Sequence, residues 1–126
     1  MEMKKNDADR MAGILAGLKL TGIKDKVVRT TLLNDYLALR RIAKELKEEQ
    51  QELVDKFNQE WGGADKEKND EYRKALDDVT AMLKSLAEEE TDVTLKPVDM
   101  DAFMVNVKEE LTFEQIAILQ DGGLLG

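Results

Sequence analysis

The chain of 126 residues contains neither cysteine nor histidine. Without cysteine it can form no disulfide, and it offers no thiol nucleophile or thiolate metal ligand. Without histidine it lacks the side chain that most often acts as a general base or binds a transition metal. Its one serine, Ser85, lies in the middle of a predicted helix. We therefore predict no catalytic, metal or cofactor-binding residue, and we expect a protein that is not an enzyme.

Long apolar runs are also missing, since no stretch approaches the ~18 residues that a membrane-spanning helix needs. Residues 1–10 are charged and have no apolar segment of the kind found in signal peptides. We expect a cytoplasmic protein without a membrane segment. The chain has only one tryptophan, two tyrosines and three phenylalanines, so its core must consist mainly of aliphatic side chains and methionine.

Charged residues make up 37% of the chain, which favours long helices with solvated faces. The net charge of −8 is unevenly distributed, with 11 basic and 6 acidic residues in 1–47 and 8 basic and 21 acidic residues in 48–126. The acidic total argues against nucleic acid as a partner. The basic stretch 19–47 nevertheless keeps open the alternative of a small helical regulator that binds nucleic acid there.

Residues 26–61 contain neither proline nor glycine and predict one long helix. Apolar residues recur at alternating spacings of four and three along one face, with Gln50 as the one polar member. This seam consists of Leu32, Tyr36, Leu39, Ala43, Leu46, Gln50, Leu53 and Phe57. Gln50 either sets the register of a helix pair or lies at a hydrated rim without consequence.

A second seam follows after Gly62 and Gly63, which end the long helix. Its members are Tyr72, Leu76, Val79, Leu83 and Leu86. If the chain reverses at residues 62–64, one register pairs Phe57 with Tyr72 and continues to Ala43 with Leu86. We therefore predict a long antiparallel, coiled-coil-like helical hairpin, with Asp65 or Asn69 capping its second helix.

Two features of this hairpin invite a functional interpretation. Trp61 at the tip could contact a partner, because tryptophan is enriched at binding hot spots, or it could simply pack against the end of the seam. The predicted register also places Arg40, Arg41 and Lys44 beside the acidic segment 88–92. We expect these charges to neutralise one another in part.

The two ends of the chain must cover the start of the long helix. Residues 1–5 should be frayed before a first helix over 8–20, and 91–98 should be extended. Asp99 and Thr112 predict helix caps, the latter in a capping box with Gln115; the last helix then carries Phe113, Ile116, Ala117 and Leu119. The predicted fold is mainly α: a single domain, 1–126, with a small helical head from 6–38 and 91–125 and a hairpin arm from 39–90.

The layout resembles that of small uncharacterised helical-hairpin proteins of tailed phages and prophages. The resemblance is carried by Lys44-Glu45-Leu46, by Asp92-Val93-Thr94-Leu95, by Val98-Asp99-Met100-Asp101 and by Leu111-Thr112-Phe113-Glu114-Gln115-Ile116. It implies a phage structural or assembly accessory. Because the chain combines a full set of packing devices with no catalytic constellation, we expect a non-enzymatic accessory that acts through protein–protein contacts or self-association, cytoplasmic or, if the resemblance holds, virion-associated. The resemblance implies no functional residue and no small-molecule substrate.

Overall fold

A computed structural model describes residues 1–63 and 69–126 and confirms the mainly helical prediction. The elements, in chain order, are β1 (Glu2–Lys4), α1 (Lys5–Ala16), a 3-10 turn (Leu20–Gly22), α2 (Lys26–Trp61), α3 (Asp70–Glu88), β2 (Glu90–Asp92), α4 (Met100–Asn106) and α5 (Phe113–Asp121). No helix in these two ranges is both long enough and apolar enough to span a membrane.

The long helix α2 has the predicted bounds because its start is fixed by a side-chain cap. The Asp25 carboxylate accepts hydrogen bonds from the N–H groups of Val27 and Val28, at 2.9 and 3.1 Å. These donors have no partner within the helix. Without an interruption, 36 residues extend over about 54 Å. The helix therefore reaches from the core of the molecule to the end of the hairpin.

Helix α3 runs antiparallel to α2, as the matched seams predict. Its cap is Asn69, whose side chain accepts from the N–H of Tyr72 at 3.1 Å. The Tyr72 ring lies 5.5 Å from that of Phe57, its predicted partner. The predicted reversal at residue 64 and the alternative cap Asp65 fall outside the described residues.

Helix α1 packs along the first half of α2 in the opposite direction. Lys5, at the start of α1, lies 3.6 Å from Glu49, and Asp9, one turn later, lies 3.7 Å from Lys47. The middle of α2 is therefore covered by both α1 and α3, whereas in the described part of the chain only α3 lies beside the part nearer Trp61.

The prediction that residues 1–5 are frayed was wrong. They form β1, which pairs antiparallel with β2 and places Met3 opposite Thr91. The Met1 amino group reaches the Asp92 carboxylate at 3.1 Å, and the Lys5 N–H donates to the Glu89 carbonyl at 2.9 Å. Pairing with β2 therefore orders the first residues of the chain. Helix α1 begins at Lys5 rather than at residue 8.

The core joins both ends of the chain to the first half of α2. Leu124 and Leu125 lie within it and are at most 3% exposed. They are held there because the Val98 N–H donates to the Leu124 carbonyl at 2.7 Å and the Gly126 N–H donates to Val98 at 3.0 Å. The other fully buried large side chains are Met11, Leu15, Leu32, Leu39, Phe103 and Leu119. The division into head and arm at the stated residues stays a prediction.

The last two helices begin at the predicted caps. The Asp99 side chain accepts from the N–H of Ala102, and Thr112 and Gln115 form both bonds of a capping box. Phe113 follows this cap and is 93% exposed, since it occupies the first helical position rather than the buried side of α5. Leu119 is the buried residue of α5.

Candidate functional site

The outer half of the hairpin leaves much of its apolar surface in contact with solvent. Of the side chains of α3, all within the described residues, only Tyr72 is buried. Leu76 is 40% and Met82 54% exposed, although α3 carries a regular apolar stripe. Two helices cannot cover each other's apolar stripes on both sides, so an apolar edge remains beside the seam.

One such edge forms a groove of about 650 Å³ between α2 and α3, here called the hairpin groove. Its floor is apolar and consists of Leu53, Ala81, Met82 and Leu86. Its remaining lining residues are Glu49, Glu52, Lys56, Ser85 and Glu89. The groove thus combines an apolar floor with a rim on which acidic side chains outnumber basic ones.

Lys5 contacts two of the glutamates that line the hairpin groove. Its Nζ donates a hydrogen bond to Glu89 at 3.2 Å and lies 3.6 Å from Glu49, so it joins the C-cap residue of α3 to a glutamate of α2. The hydrogen bond to Glu89 is the main reason why the pKa of Lys5 is raised above its ordinary value; partial burial opposes it and the charge of Glu49 adds to it. The ammonium is therefore held in its charged form beside these two glutamates.

Trp61, the predicted partner contact, lies at the end of α2 and is half-buried. Its ring packs edge-on against Tyr72, with centroids 6.1 Å apart and planes at 76°. The structure thus places Trp61 in an aromatic cluster with Tyr72 and Phe57, outside the hairpin groove. Binding of a partner by Trp61 stays a prediction.

Gln50, the polar member of the seam, reaches across to the second helix. Its Nε2 lies 3.5 Å from the carbonyl oxygen of Leu83, at the outer limit of a hydrogen bond. Side chains of a helix lean toward its N-terminus, so Gln50 extends to the level of Leu46, whose predicted partner is Leu83. The predicted register pairs Gln50 with Val79, so this contact lies one turn away from that pairing. A register-setting role for Gln50 stays a prediction.

The expected ion pairs between the basic part of α2 and the acidic segment 88–92 do not form among the described residues. Glu89 pairs with Lys5 and Asp92 with the Met1 amino group instead, because the start of the chain lies against this segment. Arg40, Arg41 and Lys44 are exposed. Binding of nucleic acid through residues 19–47 stays a prediction.

Asp35 is a buried carboxylate that sequence reasoning did not single out, and it is only 3% exposed. Its Oδ1 accepts from the backbone N–H of Lys96 at 2.9 Å, while Oδ2 is buried without a partner. Burial raises the pKa of Asp35, although the Lys96 N–H opposes this. Its spacing is the signal that could have identified it. Asp35 lies three positions after Leu32 and four before Leu39, so it shares one helix face with these two apolar residues.

The acidic groups do not converge on a metal site. Within 1–63 and 69–126, no three aspartate or glutamate side chains gather in an arrangement that could hold a metal ion. Asp35 is single and lies in the core, and Asp99 serves as a helix cap. The hairpin groove is thus the arrangement with the clearest capacity for binding. No protein family, curated protein or solved structure matches this chain.

Proposed function

We propose that this protein is a non-enzymatic structural or assembly accessory that acts through protein–protein contacts and docks its partner at the hairpin groove. The observation that carries the proposal is the exposed apolar floor, above all Met82, which is 54% exposed. Exposure of such a floor to water is unfavourable. Covering it with a partner lowers the free energy by ~25 cal/mol per Å² of apolar area buried.

The construction of the groove supports this use. A groove between two antiparallel helices that lie side by side accepts the apolar face of a third helix, which is a common mode of peptide recognition. Methionine suits such a floor because its flexible, polarizable side chain adapts to different contours. Lys5 links Glu49 of α2 to Glu89, the C-cap residue of α3, and both glutamates line the groove.

The resemblance to small helical-hairpin proteins of tailed phages and prophages supports an assembly role within this proposal. In that setting the partner is another protein of the same particle or of its assembly pathway. The protein is then cytoplasmic during assembly, or virion-associated if it remains bound.

Site-specific photo-crosslinking in cells that naturally produce the protein tests the proposal. A photoreactive residue replaces Met82 in one variant and Met104 in the control, which is 53% exposed on α4 and lies outside the groove. We expect a discrete protein adduct from position 82, identified by mass spectrometry, and none from position 104. Absence of an adduct at 82, or equal adducts at both positions, would contradict a docking role for the groove.

A further inference from the structure

We propose that the occupant of the hairpin groove is a basic amphipathic helix of a partner protein. This inference rests on the proposed function and adds the chemistry of the partner. It is argued from the charges on the rim, from the way Lys5 is bound, and from the position of α1.

The rim of the groove is acidic around its apolar floor. Glu49, Glu52 and Glu89 line the groove together with Lys56. Lys5 pairs with Glu49 and Glu89 at one end, which leaves Glu52 as the glutamate open to a partner's cation. The Glu52 side chain makes no ion pair or hydrogen bond to any other described residue. A helix that presents apolar residues to the floor and lysine or arginine beside them complements this rim, because opposite charges at close range favour the bound state.

The protein already binds one cation on this rim. Lys5 Nζ lies 3.2 Å from Glu89 and 3.6 Å from Glu49, and its side chain is only 16% exposed. Its pKa is raised mainly by the hydrogen bond to Glu89. A glutamate of α2 and the C-cap glutamate of α3 thus hold an ammonium group between them, and we expect a basic side chain of a partner to bind next to Glu52 in a similar way.

The position of α1 shows where a third helix fits. Helix α1 starts at Lys5, which contacts Glu49 and Glu89 of the groove lining, and from there runs antiparallel to α2 along its first half. Toward Trp61 the hairpin has no corresponding helix among the described residues. A partner helix in the groove therefore continues the three-helix packing that α1 begins, past the point where the chain's own helix stops.

The same charges argue against a second copy of this chain as the occupant. A symmetric pairing of two hairpin grooves would bring together two copies of a rim on which three glutamates stand against Lys56 and Lys5. Residues 48–126, which contain the groove, carry 8 basic and 21 acidic side chains, so the approach of two copies along this face is repulsive.

Binding of two synthetic peptides to the full chain tests the inference. Both are amphipathic helices of about 14 residues, four turns, with leucine on one face; one carries lysine on the other positions and its counterpart carries glutamate. In fluorescence anisotropy titrations we expect the lysine peptide to bind at least ~10-fold more tightly than the glutamate peptide at low salt. We also expect this preference to shrink as salt rises.

Matched variants locate the binding. We expect Glu52→Lys to weaken the lysine peptide by about fivefold, and Glu45→Lys, an exposed position of α2 outside the groove, to have less than about a twofold effect. Met82→Gln should weaken the binding of both peptides, because it places a polar side chain on the apolar floor. Met104→Gln should leave the binding of both peptides unchanged. Circular dichroism verifies that all four variants remain folded.

Three outcomes would overturn the inference. The first is equal binding of the two peptides, and the second is a preference for lysine that Glu52→Lys leaves unchanged. The third is concentration-dependent dimerisation in sedimentation equilibrium that Met82→Gln abolishes, since the occupant is then a second copy. If photo-crosslinking at position 82 still yields a protein adduct, the docking function stands and only the basic helix is rejected; if it yields none, the docking function itself fails.

Discussion

The Asp35 carboxylate accepts a hydrogen bond from the backbone N–H of Lys96 at 2.9 Å, joining α2 to the extended segment that follows β2. Burial raises the pKa of Asp35, so the folded state binds this proton more tightly than the unfolded state does. The resulting stabilisation is complete below the pKa of Asp35 in the unfolded chain. It is lost as the pH rises through the higher pKa of the folded state.

We therefore predict that Asp35→Asn makes the free energy of unfolding less dependent on pH across that interval. Asparagine keeps a carbonyl oxygen for the Lys96 N–H and cannot ionise. Urea unfolding of both proteins between acidic and neutral pH measures the difference, with Asp77→Asn on the exposed face of α3 as control. An unchanged pH profile in Asp35→Asn would show that this buried carboxylate does not titrate in folding.

Two glycines are predicted to respond in opposite directions to alanine. A Cβ on Gly122 would collide with the side chain of Met11, which is fully buried, whereas a Cβ on Gly13 meets nothing within 4 Å. Gly122→Ala should cost about 1–3 kcal/mol through overpacking, and Gly13→Ala should add up to about 1 kcal/mol of helix stability. Denaturant unfolding gives both values.

The Gly122 effect can be traced to its contact by a double-mutant cycle. Met11→Ala removes the side chain that a Cβ would strike, so Gly122→Ala should cost less in that background than in the wild type. Equal costs in the two backgrounds would assign the effect to the backbone at Gly122 instead.

The aromatic cluster at the end of the hairpin should stabilise the arm locally. Tyr72 is 8% exposed and contacts the rings of Phe57 and Trp61. We predict that Tyr72→Ala costs about 2 kcal/mol. Hydrogen exchange should accelerate in 54–61 and 70–76 and stay unchanged in α1 and α5. Phe113→Ala, at a 93% exposed position, is the control and should change stability by less than about 0.5 kcal/mol.

Substitutions at the end of the chain should destabilise the protein as much as substitutions at the centre of the core. Leu124 is fully buried, so we predict that Leu124→Ala costs about 3 kcal/mol, the sum of lost transfer free energy and a residual cavity. Val105→Ala, at an 80% exposed position, serves as control. A comparable midpoint of thermal unfolding for the two variants would contradict the burial of Leu124.

The helices and the hairpin could be predicted from the sequence because their determinants are local and periodic. The caps at Asp25 and Thr112 follow from short motifs, and the contact between Phe57 and Tyr72 follows from two matching seams. Two further contacts, Gln50 with Leu83 and Trp61 with Tyr72, lie one turn away from the matched pairs. The lean of helical side chains toward the N-terminus accounts for both displacements.

The parts that could not be predicted depend on distant residues. A strand of three residues such as β1 carries no pattern of its own, and only its pairing with β2 distinguishes it from a frayed end. The burial of Leu124 likewise depends on the bond between Val98 and the end of the chain. The hairpin groove was not predicted because the seam residues specify what α2 and α3 share, and not how much of each helix stays uncovered.

The pairing of β1 with β2 also has a consequence for the order of folding. Met3 must pair with Thr91, and Val98 with Leu124, so the core around them assembles only after large loops have closed. The α2–α3 contacts join residues much closer in the chain, and we expect them to form first. During synthesis on a ribosome, β1 then remains unpaired until β2 has emerged. The core is incomplete until Leu124 and Leu125 have left the exit tunnel.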